Sequence, residues 1–182
     1  GRIARAARTP SEGAFLRAVA DVLECAGDWP PRLIVTAVDT ADGSTVGLGA
    51  DSGVPLPTAV GASAAVPVLF PTVTALGRCW MDGGMSSVTH ATVAGDADEV
   101  VVVAPLRLPG LADEVRALRA RGCRVTVITP GQEAARVLGI GVGLLDPIRR
   151  PAAARAGRLD GLEAARRLRE PGPATATTVP AA

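Results

Sequence analysis

Apolar positions near the start of the chain recur at helical spacing. After Thr9-Pro10-Ser11, residues Phe15, Leu16, Val19, Val22 and Leu23 share one face, which predicts a helix that stops near Gly27, ahead of Trp29-Pro30-Pro31. The pattern then changes. Arg32–Val38 (RLIVTAV) is β-branched and apolar, Asp39–Ser44 supplies turn residues, and Thr45–Leu48 is strand-like again, so a hairpin or a strand pair is expected. Pro57–Ala65 is rich in small residues and closes on Val66-Pro67, which predicts a short helix, with Pro67 and Pro71 framing an extended bend. Val73–Met81, interrupted by Leu76-Gly77, reads as two short strands leading directly into Asp82-Gly83-Gly84.

The second half carries a different signal. Val100–Val103 is an unbroken β-branched run, the pattern of a strand buried on both faces of a parallel sheet. Leu111, Val115 and Leu118 follow at helical spacing, with Asp113 and Glu114 near the amino end and Arg119 and Arg121 near the other, as the helix dipole favours. Gly122 releases the chain into the strand-like Arg124–Thr129. Strand, helix and strand within about thirty residues make a βαβ unit, normally right-handed, and point to α/β architecture. Pro130–Leu138 and the Arg-rich Pro151–Glu170 read as further helices, whereas residues from Pro171 onward lack apolar periodicity and are expected to be disordered.

Composition narrows the function. The chain has 182 residues, 48% hydrophobic and 20% charged, enough for one substantial core. A net charge of +1 and 2% aromatic residues give no footing for a nucleic-acid partner. Cys25, Cys79 and Cys123 are odd in number and far apart, so neither a disulfide framework nor a metal site is expected, and a reducing compartment is preferred. Val100–Leu106 is the longest strongly apolar stretch, too short to span a bilayer. The chain opens on Gly1 and a basic run (Arg2, Arg5, Arg8) instead of a signal-like segment, and is read as starting inside a longer protein. Cytoplasmic or peripheral membrane localisation is expected.

Three stretches carry a family resemblance: DSGVPL with TAVGASAAVPVLFP (Asp51–Pro71), GRCWMDGG (Gly77–Gly84), and VVVVAPL with GLLDPIRR (Val100–Leu106, Gly143–Arg150). In this order, over roughly positions 30 to 160, they resemble the second half of bacterial patatin-like phospholipases. The resemblance implies a three-layer α/β/α fold with a mainly parallel central sheet, here a partial domain lacking its first strands. Residues 1–160 would be the carboxy-terminal part of that domain, and 161–182 a helix end and disordered tail.

The chemistry explains the motif. A serine hydroxyl is a poor nucleophile at neutral pH and needs a positioned base to take its proton. In patatin-like enzymes an aspartate does this without histidine, and the resemblance assigns that role to Asp82. Gly83 and Gly84 would let the backbone turn sharply and keep side chains out of the cleft. The plain alternative for Asp82 is a solvated turn carboxylate.

The serine itself is missing. A nucleophile elbow has the pattern Gly-x-Ser-x-Gly at a strand-to-helix turn. The nearest match, Gly61-Ala62-Ser63-Ala64-Ala65, lacks the last glycine and follows helix-like sequence. Ser11, Ser44, Ser52, Ser86 and Ser87 lie in turns or cap-like positions. The family's glycine-rich oxyanion loop also has no counterpart.

His90, the single histidine, follows Asp82 by eight positions. Where this chain has Ser87-Val88-Thr89-His90-Ala91, the family usually carries a stretch resembling Ser-x-Thr-Asn-Ala, and an arginine is common at the place of Ser86. His90 is therefore read as a polar structural residue near the loop. Gly139–Gly143 is not a nucleotide-binding loop, since it follows a helix instead of opening one, and is read as a connector. Arg149, Arg150, Arg155 and Arg158 suit either a solvated helix face or transient contact with an anionic membrane surface.

The expected function is hydrolysis of carboxylic ester bonds of lipids by a Ser-Asp dyad, with no cofactor. Asp82 would be the base, the serine would come from a missing amino-terminal segment, and the chain alone would be inactive. The alternative is a non-catalytic α/β module that binds lipid or a partner.

Overall fold

The computed structural model describes residues 1–23, 28–106, 109–139 and 146–169. The chain divides into two compact units, Gly1–His90 and Ala91 onward.

In the first unit, α1 (Arg2–Ala6) and α2 (Glu12–Leu23) precede a sheet built from β1 (Val35–Asp39), β2 (Thr45–Leu48), β3 (Val73–Ala75) and β4 (Arg78–Asp82), with α3 (Leu56–Ser63) between β2 and β3. The strand order is β2-β1-β4-β3, and every pairing is antiparallel. This corrects the expectation of a mainly parallel sheet. The reason lies in the connections: tight turns join β1 to β2 and β3 to β4, and such turns can only link antiparallel neighbours. Asp39 opens the first turn, its Oδ1 accepting from the Ala41 N–H at 2.7 Å, and Gly43 takes a φ of 78°. In the second turn Leu76 and Gly77 both sit at positive φ, 54° and 70°, as a type I′ turn requires.

β1 begins three residues later than its sequence suggests. Arg32 adopts a φ of 68° and the Leu33 N–H bonds the Pro30 carbonyl, so the chain is still turning where the apolar run starts. One face of the sheet packs Ala37, Val73 and Trp80 against Ala62 and Ala65 at the end of α3, with Phe15 and Leu16 of α2 alongside. On the other face Val38 and Met81 meet Ala4 of α1. The outer edge of β3 is closed by Glu12, whose carboxylate accepts from the Thr74 N–H at 2.7 Å, a blunted edge of the kind that resists strand addition.

In the second unit, β5 (Glu99–Val103) and β6 (Arg124–Ile128) pair in parallel with α4 (Leu111–Ala120) between them. Here the βαβ reading holds. Leu111, Val115 and Leu118 of α4 cover Val100 and Val102. Val101 and Val103 remain 46% and 67% exposed, so β5 alternates and is not buried on both faces as its unbroken valine run suggests. α5 (Gln132–Leu138) and α6 (Arg150–Arg169) follow, Asp160 of α6 accepting from the Gly131 N–H ahead of α5 at 2.8 Å. Gly139 takes a φ of 69° after α5, while residues 140–143 of the expected connector lie outside the described residues. So do the expected helix end at Gly27 and the expected disordered tail from Pro171. No described helix is long and apolar enough to cross a membrane.

Candidate active site

Asp82 is the last residue of β4, placed where the strand stops pairing with β1. Its N–H donates to the Ala65 carbonyl at 3.1 Å, which ties the end of β4 to the exit from α3. Beyond it the chain enters a 3₁₀ turn, Gly83–Met85, capped by the Asp82 side chain: Oδ1 accepts the Gly84 N–H at 2.6 Å. Oδ1 is thus the oxygen that the loop backbone holds.

Burial raises the proton affinity of Asp82 above that of an ordinary carboxyl, and this outweighs the Gly84 N–H and the charge of a protonated His90, both of which act the other way. A base held above the usual aspartate range is better matched to a hydroxyl proton. The other carboxylate of the sheet makes the contrast. Asp39 is 1% exposed, bonds Ala41, and has Arg78 Nη1 2.9 Å from Oδ2, at an angle that makes an ion pair but not a hydrogen bond. A carboxylate committed to a guanidinium holds the hairpin. Asp82 is not so committed.

The raised affinity gives a stability prediction. The fold favours protonated Asp82, a contribution fully present below the ordinary carboxylate range and lost as pH rises through the higher folded value. Asn mimics the neutral acid and keeps an oxygen for Gly84. Asp82→Asn is therefore expected to be at least as stable as the wild type near neutral pH, with the difference closing as pH falls into the ordinary carboxylate range. Urea unfolding at both pH values checks this; a clear loss of stability at neutral pH would show that the ionised side chain holds the loop together.

The two glycines are required by space more than by turn geometry. Neither is among the residues at positive φ. A Cβ on Gly83 would stand 2.6 Å from the Thr36 carbonyl oxygen, and one on Gly84 would stand 2.9 Å from Asp82 Oδ1. The first glycine lets the loop lie on β1, and the second keeps the carboxylate's own space clear.

The departures at Ser86 and His90 turn out to be the residues that fasten the loop. Ser86 Oγ lies 2.8 Å from Thr45 Oγ1 on β2 and 3.2 Å from the Gly83 carbonyl. His90 Nε2 lies 2.8 Å from that same carbonyl, and since a carbonyl only accepts, Nε2 carries the proton. The polar role expected for His90 thus has a definite partner. Thr45 and Thr36 carry no signal for this role in the sequence, where nothing local connects them to residues 82–86.

Ser63 is the final residue of α3, the opposite of an elbow, in which the nucleophile opens a helix after a strand. Ser52 Oγ donates to the Gly49 carbonyl at 2.6 Å, and Ser11 Oγ accepts from Ala14 N at 3.3 Å, both local turn or cap bonds. Thr36, Ser63 and Ala64, with Ile34, Val35 and Val60, line a groove of about 360 Å³. Asp82 is not among the residues that line the groove, but two of those that do adjoin its loop: Thr36 lies against Gly83, and Ala64 precedes the Ala65 carbonyl that accepts from the Asp82 N–H. Among the described residues no cluster of three or more His, Cys, Asp or Glu side chains could hold a metal ion.

The sequence model of the patatin-like phospholipase family matches residues 3–94, a span that contains the whole sheet of the first unit and the Asp82 loop. No curated protein matches the chain.

Proposed function

The chain belongs to the patatin-like phospholipase family, and from that premise we propose that it carries the general-base half of a lipid acyl hydrolase site, with Asp82 as the base. The observation that supports this most is the setting of Asp82 itself. A half-buried carboxylate with raised proton affinity ends a strand, one oxygen held by the Gly84 N–H, ahead of a glycine pair whose first member lies against the backbone of β1.

In the proposed reaction Asp82 Oδ2 takes the proton of a serine hydroxyl as that oxygen attacks the ester carbonyl. The proton then passes to the departing alcohol, leaving an acyl-serine. In the second half Asp82 takes a proton from water, hydroxide character adds to the acyl carbon, and the serine leaves with the proton returned. The apolar groove bordered by Ile34, Val35 and Val60 suits the hydrocarbon part of such a substrate. A serine outside these 182 residues is the nucleophile of this reading, which the positions of the six serines present support, since none opens a helix after a strand. The arginines near the start of α6 suit transient contact with an anionic lipid surface.

A fluorophosphonate probe tests the assignment on this chain directly. The expected result is no labelled serine and no hydrolysis of a p-nitrophenyl ester above the uncatalysed rate. Labelling of Ser63, removed by Ser63→Ala, would move the nucleophile into the chain and overturn the proposed division of the site. A non-catalytic lipid- or partner-binding module is the second reading, favoured by the position of Ser63 at a helix end.

A further inference from the structure

The Gly83 carbonyl is an unusually crowded acceptor. It faces the N–H groups of Ser86 at 3.1 Å and Ser87 at 3.4 Å, Ser86 Oγ at 3.2 Å and His90 Nε2 at 2.8 Å. The backbone contacts belong to the 3₁₀ turn and would form with any residues there. The imidazole contact is the shortest, and it arrives from a residue with a φ of 45°, a left-handed conformation that a non-glycine residue rarely adopts. His90 is kept there by its own N–H, which donates to Ser87 Oγ at 3.2 Å.

What this bond controls follows from covalent geometry. The Gly83 carbonyl and the Gly84 N–H belong to one peptide group, which is planar and trans. Fixing the oxygen on one side therefore aims the N–H on the other, and that N–H is the donor that holds Asp82 Oδ1 at 2.6 Å. A hydrogen bond accepted by the carbonyl also polarises the peptide and strengthens its N–H as a donor.

We propose that His90 is a positioning residue of this site: through Nε2–H it locks the Gly83–Gly84 peptide, and through that peptide it sets the orientation of the Asp82 carboxylate. Its importance for hydrolysis rests on the reading of Asp82 as base, but the coupling itself does not.

The coupling is read by NMR on this chain at alkaline pH. Gln places its own Nε2 close to where the imidazole nitrogen lies, whereas Leu has no donor. His90→Leu is expected to shift the Gly84 amide proton upfield as its bond to Asp82 loosens, and His90→Gln to restore most of that shift. Thermal midpoints of both variants fall whether the role is structural or positioning, so they do not decide. The proposal is overturned if the Gly84 amide of His90→Leu stays at the wild-type position, or if the Gln and Leu variants shift it equally. Should the Leu variant fail to fold, the wild-type imidazole nitrogen spectrum decides: a neutral ring protonated at Nε2 supports the bond, and one protonated at Nδ1 overturns it. None of these outcomes depends on catalysis, so failure of the base assignment would appear separately, in the activity of Asp82 variants.

Discussion

Gly83→Ala is expected to destabilise the first unit by about 2–3 kcal/mol and to lower its thermal midpoint by roughly 10 °C or more. The added methyl would meet the Thr36 carbonyl oxygen at 2.6 Å and Thr36 Oγ1 at 2.7 Å. The carbonyl belongs to the second residue of β1, paired with Gly47 of β2, so it cannot withdraw without disturbing that pairing. Gly84→Ala makes the instructive comparison. Its methyl would approach Asp82 Oδ1, the end of a side chain that can rotate away. A smaller loss of stability is expected there, with the Gly84–Asp82 bond disrupted instead. Thermal unfolding followed by far-ultraviolet circular dichroism checks the order; equal effects at the two positions would contradict the contact that sets Gly83 apart.

The second large effect is expected at Trp80. Its ring is 3% exposed, packed between β1, β3 and the end of α3, and its indole N–H donates to the Ala75 carbonyl at 3.0 Å. Trp80→Ala removes the largest side chain of that core and is expected to cost about 3–5 kcal/mol. Trp80→Phe keeps a ring and loses the hydrogen bond, so about 1–2 kcal/mol is expected from the unpartnered carbonyl and the smaller volume. Because Trp80 stands two residues before Asp82 on the same face of β4, its loss should also loosen the strand end that carries the carboxylate. Urea unfolding of both variants, read as free energies, tests the ranking. A loss below about 1 kcal/mol in Trp80→Ala would mean that the core is not organised around this ring.

Much of the fold was legible because local signals and tertiary structure agree. The turn at Asp39–Ser44, the break at Leu76-Gly77 and the course of α4 into β6 all follow from residue types whose backbone preferences match their places. Strand direction was another matter. A short apolar run looks the same in either kind of sheet, and the valines at 100–103 suggested cover on both faces, where the structure covers only Val100 and Val102. The start of β1 was misplaced because Leu33 and Ile34 are apolar, yet Arg32 holds the chain in a turn.

The site divides in the same way. Asp82-Gly83-Gly84 could be found because strand, carboxylate and glycines are consecutive. The reason for Gly83 could not, since Thr36 lies across the sheet, and neither could the bond between Ser86 and Thr45, which are 41 positions apart. The contact between His90 and Gly83 depends on a left-handed backbone at a histidine, which no spacing rule anticipates.

As the proposed general base, Asp82 needs a serine that these 182 residues do not supply. The most direct test of that role begins with the reading frame upstream of Gly1. If that frame encodes a Gly-x-Ser-x-Gly turn after a strand, the longer protein is expressed, and ester hydrolysis is compared between wild type and Asp82→Asn. The expected result is a fall in kcat of about 100-fold to 10,000-fold with little change in KM, in a variant that folds normally. An Asp82→Asn enzyme with the wild-type kcat, or an upstream frame with no such serine, would contradict it.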